Sequence, residues 1–339
     1  MKLGYNIQEL RKLCFNADIF PSKILDWIAT ENLWNLWVPK TYDGLELSFT
    51  EGLDKLKALA KIDGSLGWTV TLCSGANYFI GSLKNEVAQE IFLKPETPVC
   101  FGGSGGVFGI AEQEGDSYKI SGKWRYATGA PYLTHFTLNA QIMENGEELK
   151  NQDGSPKVRS FLIPKADVHI IEDWNTMGLK ASVTHSFEVR EEIVNKKYSF
   201  LYNHYYLPHP IFKIHFSVFA DLTLWVNYVG IAEHFLDEAS AIISKEKLNN
   251  LAQIIFISAQ QIGGFSEEIE NTIKGELDLS EAYIHNIHEK AADSVSNLSN
   301  VIIQVYPLLG IRASRKNHPL NQIFRDFFTA TQHHIFRQI

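Results

Sequence analysis

The strongest pattern in the chain lies toward its C-terminal end. Ile284, Ile287, Ala291, Val295, Leu298, Ile302, Val305 and Leu309 recur at steps of three and four, which draws one buried stripe down a long helix. Segments 211–244, 247–273 and 318–337 carry the same period, so residues 206–339 predict a four-helix bundle. The opening residues 1–96 are helical too. "IQELRKLCFNADIF", "PSKILDWIATENL" and "SFTEGLDKLKALAKI" have helical apolar spacing, Pro21 suits a first turn, and Ser48 to Glu51 forms a capping box. Between these blocks the period falls to two. "SYKISGKWRYATG", "HFTLNAQIM", "VRSFLIP" and "HSFEVREEIV" alternate like strands, and "ENGEELKNQDGSPK" reads as a polar loop. Residues 97–205 therefore predict a β domain, and the whole is an α+β chain in the order α, β, α bundle.

Composition narrows the function classes. Hydrophobic residues make up 45% and charged residues 21% of the 339 positions, the balance of a soluble globular protein. A formal charge of −8 with no basic cluster excludes a nucleic-acid partner, which needs a cationic face. Cys14, Cys73 and Cys100 are too few and too scattered for a disulfide framework. The start "MKLGYNIQELRKL" lacks the apolar core of a signal peptide, and no run reaches the length of a membrane span. These features predict a cytoplasmic protein.

Four stretches could carry chemistry. "FGGSGGVFG" suggests a nucleotide loop, but a dinucleotide fingerprint needs glycine at 108, where Phe108 stands, and no helix follows. The plain reading is a cluster of β-turns; the other is a backbone that approaches a flat ligand closely. "HNIHEK" sets His285 and His288 three apart, yet no second Glu-x-x-His exists to complete a metal pair. No metal is expected, and His288 falls to the side of the buried stripe. "GKWRYATGAPY" ends a strand with rings, a hydroxyl and two glycines. Tyr126 and Thr128, two apart, would share one strand face, where a ring and a hydroxyl could meet an aromatic cofactor. In the final helix Arg325, Thr329 and His333 step by four along a polar face, and His334 joins the apolar face of Ile323, Phe327 and Ala330.

Taken together, these segments resemble the acyl-CoA dehydrogenase superfamily of flavoproteins. The likeness rests on "LWNLWVPKTYDGLEL", "LAKIDGSLGWTVTL", "ISGKWRYATGA", "DWNTMGLKASVTHSFEV" and "HPLNQIFRDFFTATQHH", spread over nearly the whole chain. Dehydrogenases of this kind commonly place a Tyr-Glu-Gly-Thr segment after the Arg-Asp pair, and the Glu serves as base; this chain has no such segment. The monooxygenase branch, fed with reduced flavin by a partner reductase, instead carries Arg-Asp-x-x-Thr-Ala-x-x-His. Arg325, Asp326, Thr329, Ala330 and His333 match that pattern, while Gln322 stands where the branch usually has a second Arg. The resemblance implies FAD or FMN as cofactor, held by Tyr126, Thr128, Gly129, Ser104, Lys180 and Ser182. It implies catalysis by His333, Thr128 and Arg325, oxygenation of a small organic substrate, and a homodimer or homotetramer. Two rival readings keep the fold: an acyl-CoA dehydrogenase acting on an acyl thioester with FAD, and a non-catalytic scaffold that has lost the flavin.

Overall fold

The computed structural model describes residues 5–93 and 95–336. Five helices come first: α1 (Ile7–Cys14), α2 (Ser22–Thr30), α3 (Phe49–Ile62), α4 (Gly64–Asn77) and α5 (Asn85–Phe92). Their starts follow local chemistry. Ser48 and Glu51 form the expected capping box of α3, and Asp63 caps α4 by accepting the Leu66 N–H at 3.0 Å. Helix α4 is buried on nearly every side, which is why it shows no amphipathic stripe. It presses against α3 so closely that a Cβ on Gly67 would fall 2.4 Å from the Ala60 Cα.

Eight strands form one sheet: β1 (Phe101–Glu114), β2 (Ser117–Ala127), β3 (His135–Glu144), β4 (Glu147–Glu148), β5 (Val158–Pro164), β6 (His169–Ile171), β7 (His185–Asn195) and β8 (Ser199–Phe200). The order is β6-β7-β2-β1-β3-β5-β8, with β4 paired to β3. Only the β1–β3 pair among these runs parallel. The glycine run thus lies within β1, not in a cluster of turns. At one end of the run the reason is a ring: a Cβ on Gly109, or on Gly122 across in β2, would meet the Trp124 indole at 2.3 and 2.6 Å. The glycines make room for that indole, which stacks on Phe187 at 5.5 Å and donates to the Asn139 carbonyl at 2.9 Å.

The remaining helices are α6 (Phe216–Ser240), α7 (Lys245–Lys274), α8 (Glu281–Val305) and α9 (Pro319–Ala330). Helix α6 packs against α3, α4, α7, α8 and α9 and sits at the centre of the helical mass. On α8 the stripe from Ile287 to Val305 is buried as its period predicts, with Ile284 at the margin. Helix α9 stops short of the predicted 337. The Tyr228 hydroxyl donates to the Ala330 carbonyl at 2.7 Å, and the Gln332 and His333 amides turn back by three residues to the Thr329 and Ala330 carbonyls, which ends the α-helical ladder. No helix among the described residues is long and apolar enough to cross a membrane.

Candidate active site

The residues singled out around position 128 meet where β2 ends. The register of β2 shifts between Trp124 and Ala127, so strand alternation breaks there. Tyr126 is left 56% exposed and Thr128 only 6% exposed, and the two do not share a strand face as their spacing predicts. Gly129 takes the left-handed conformation at φ 73° and donates its N–H to the Ser182 carbonyl at 2.7 Å. Behind Thr128 runs a line of hydroxyls. Thr184 Oγ1 donates to Thr128 Oγ1 at 3.2 Å, Ser182 lies 2.8 Å from Thr184, and Ser182 donates to the Leu179 carbonyl at 2.6 Å. Thr128 stands at the head of this line of hydroxyls. Beside it on α4, the buried Thr69 hydroxyl has no partner among the described residues. Tyr126 meets Trp174 edge to face at 6.1 Å, and Val107, Phe108 and Ile110 of β1 add exposed apolar surface.

Ser104 lies on β1 and not in a loop; its hydroxyl donates to the Arg125 carbonyl, which ties β1 to the end of β2. Lys180 is half-exposed and pairs with Asp18 at 2.9 Å, which holds the loop. Arg325 is tied to the chain by hydrogen bonds. It donates to the Met177 carbonyl, to Asn321 at 3.0 Å and to Asn16 at 3.3 Å. Its role here is to fix the 176–183 loop. That loop contains Leu179 and Val183 at φ 50° and 37°, a conformation costly for any L side chain and most for a β-branched one.

The clamp on that strained loop is a buried carboxyl pair that the sequence reading did not find. Asp326 Oδ1 accepts the Leu179 N–H at 2.6 Å. The Gln322 amide donates to Asp63 at 2.7 Å and to Asp326 at 3.3 Å, bridging the two acids. Burial pushes Asp63 up to about 6, and burial together with the Asp63 charge pushes Asp326 up to about 7. The unfolded chain would release these protons near pH 4 (about the ordinary carboxyl value). Between about pH 4 and 7 the native state therefore holds more protons than the unfolded one, and stability falls as pH rises. The stabilisation is complete below about pH 4 and is lost on passing through the raised values. Thermal midpoints measured from about pH 5 to about pH 8 should fall more steeply for the wild type than for Asp326→Asn, which removes one of these titrations. Parallel curves would contradict this assignment.

His333 and His334 lie beyond the end of α9. His333 sits in a bend, half-buried, with its ring edge-on to Trp68 of α4 at 5.6 Å. His334 is exposed, not packed on an apolar face. The early end of the helix rotates both residues out of the predicted phase. Thr329 of the same motif is buried, and its hydroxyl has no partner among the described residues. No group of His, Cys, Asp and Glu among those residues could hold a metal.

Sequence reading missed Thr184, Asp63, Cys73 and Asn139, each of which supports the site through contacts distant in sequence. One local signal was available for Asp63, an N-cap aspartate three residues before Leu66.

No family model matches the chain. It is 28% identical over 225 residues to the indole-3-acetate monooxygenase of Pseudomonas putida, a match taking in 65% of this chain and 55% of that protein. The indole-3-acetate monooxygenase of Acinetobacter baumannii is 24% identical over 332 residues, covering 91% of this chain and 82% of that one. This chain therefore spans little more than half the length of the first relative. Among solved structures, XiaF from a Streptomyces species, in complex with FADH2 and glycerol, superposes with a TM-score of 0.86 at 17% identity, over 98% of this chain and 90% of that chain.

Proposed function

We propose that this chain, which has the acyl-CoA dehydrogenase-like fold, is the oxygenase component of a two-component flavin-dependent monooxygenase acting on a small aromatic molecule. The observation that carries the reading is the hydroxyl line ending in Thr128. It presents the buried Thr128 hydroxyl near the orphaned Thr69 hydroxyl, at the end of the strand that carries the exposed Tyr126, whose ring meets the half-buried Trp174. These residues fit a flat heteroaromatic ring with hydrogen-bonding nitrogens. The reading also takes support from the names of the relatives, which are monooxygenases.

Reduced FAD or FMN, delivered by a partner reductase, would supply the electrons that activate O2. The other contributions belong to the chain's own side chains. Thr128 would donate its proton to a ring nitrogen, held in place by Thr184 and Ser182. Gly129, Ser104 and the clamped 176–183 loop fix that end of the sheet. Tyr126 would flank the ring. His333, which with His334 falls where the resemblance would put a dehydrogenase's base, would move the proton exchanged with substrate, since an imidazole is suited to proton transfer. We read the assembly as a homodimer or homotetramer.

The test is to mix the protein anaerobically with reduced FMN or FAD, add O2 with indole-3-acetate, and analyse products. Oxygenated product beyond that of free reduced flavin is the expected result. Recovery of all reducing equivalents as hydrogen peroxide, across a panel of aromatic compounds, would count against the reading. Anaerobic bleaching of bound FAD by an acyl-CoA thioester would favour a dehydrogenase instead.

A further inference from the structure

The "HNIHEK" stretch, which forms no metal site, supplies a different constellation. His285 pairs with Glu289 in solvent at 3.3 Å. His288 turns the other way, from α8 across to Asp221 of α6. Its Nδ1 lies 3.1 and 3.3 Å from the two carboxylate oxygens. The Asp221 side chain is only 3% exposed, whereas that of His288 is 43% exposed. The carboxylate thus holds Nδ1–H from the inside and fixes the tautomer, and Nε2 has no hydrogen-bond partner among the described residues. Burial pushes the Asp221 carboxyl up, and the hydrogen bond from His288 draws it back toward the ionised form.

A simple tie between two helices does not need a carboxylate, because burying one is costly unless its charge is compensated. A buried carboxylate behind an accessible imidazole instead raises the proton affinity of the ring's outer nitrogen, the arrangement general bases use. The neighbourhood is aromatic. Phe336 lies 5.9 Å from the imidazole and 5.8 Å from Tyr228, and Tyr228 lies 6.2 Å from Trp68, the ring that carries His333. Phe336 and Tyr228 also form walls of a cavity of about 180 Å³ between α6, α8 and the segment after α9, with Val295, Ser299 and Thr331. A cavity of roughly 150 Å³ suffices for one benzene ring.

We propose that Asp221 and His288 form a second proton-handling site, which accepts the proton of an acidic O–H on an aromatic ligand whose ring packs against Phe336, the residue that touches the imidazole and also walls the neighbouring cavity. In that step the O–H bond breaks and an N–H bond forms on Nε2. The electron pair stays on oxygen as a phenolate, and the imidazolium is neutralised by the Asp221 carboxylate. No oxidant or reductant is involved. The link to oxygenation rests on the function proposed above, since a phenolate ring is richer in electrons than the phenol and a better acceptor of an oxygen atom.

The experiment uses the full chain without flavin and 4-nitrophenol as probe, its ionisation read by absorbance. Wild-type protein is expected to bind the probe and shift it toward phenolate. In His288→Gln the bound phenolate-to-phenol ratio should fall about tenfold at the same pH, equal to one unit in apparent pKa. Asp221→Asn, which keeps the side chain's shape, should fall between them. Wild-type protein that leaves the probe's ionisation as in buffer, or a His288→Gln protein that ionises it as well as wild type, overturns the proposal. Because no flavin is present, failed oxygenation alongside normal probe ionisation would sink the flavin reading alone.

Discussion

Replacing His333 with alanine is expected to lower oxygenated product by a factor of about 10² to 10⁴, the usual contribution of a positioned acid or base, while the fold survives. His333 follows α9, in a bend closed by its own N–H to the Ala330 carbonyl at 3.0 Å. A backbone bond of that kind does not depend on the side chain. Alanine would lose, among other contacts, the edge contact with Trp68 at 5.6 Å, worth about 1 kcal/mol, the Ile335 N–H that Nδ1 accepts at 3.4 Å and the ring contact with His334 at 4.7 Å. Flavin affinity and thermal midpoint should therefore change little. The neighbouring His334→Ala serves as a control. Its ring is exposed, and such surface changes usually stay within about 0.5 kcal/mol. Product formed per reduced flavin, measured beside peroxide release, reads the effect. A His333→Ala protein that couples as well as wild type would remove this residue from the chemistry.

The largest loss of stability is expected from Trp124→Ala, at about 3–5 kcal/mol. The indole is fully buried between two glycines, stacks on Phe187 and donates to the Asn139 carbonyl. Alanine would leave a cavity that the flanking glycines cannot fill and an acceptor without its donor. The damage would travel toward the site. Asn139 donates to the Gly105 carbonyl at 2.8 Å and accepts from Ser160 at 2.6 Å, so it positions β1 beside Ser104. Urea unfolding should give the stability loss, and flavin titration should show weaker binding. A loss below about 1 kcal/mol would mean that the indole does not organise this part of the sheet.

Much of the helical framework was legible because its signals are local. The stripe on α8 and the Ser48–Glu51 box of α3 both depend on residues within a few positions of each other. The strand ending at Thr128 and Gly129 was legible for the same reason. The glycines of β1 misled because what crowds several of them lies elsewhere in the sheet: Trp124 against Gly109 and the Thr137 carbonyl against Gly103. Where helix α9 ends, its last carbonyl is met by Tyr228, more than a hundred residues upstream, and no terminal sequence signal announces it. The Asp63–Gln322–Asp326 cluster and the Asp221–His288 pair join distant elements. Each of those residues, taken alone, looks like an ordinary polar position. The partners of Arg325 are loop carbonyl and amide oxygens, most of them far away in sequence, which no local pattern announces.

The central claim is that the end of β2 holds a reduced flavin through Thr128. Its most direct test is a titration of the protein with reduced FMN and reduced FAD, followed by absorbance and thermal midpoint, in wild type and in Thr128→Val. One of the two flavins should raise the wild-type midpoint with increasing concentration, as any ligand of the native state must. Thr128→Val, which removes the hydroxyl but nearly conserves shape, should bind about tenfold more weakly, the equivalent of one lost hydrogen bond. A protein that gains no stability from either flavin would contradict the account and favour a scaffold that keeps the fold without the cofactor.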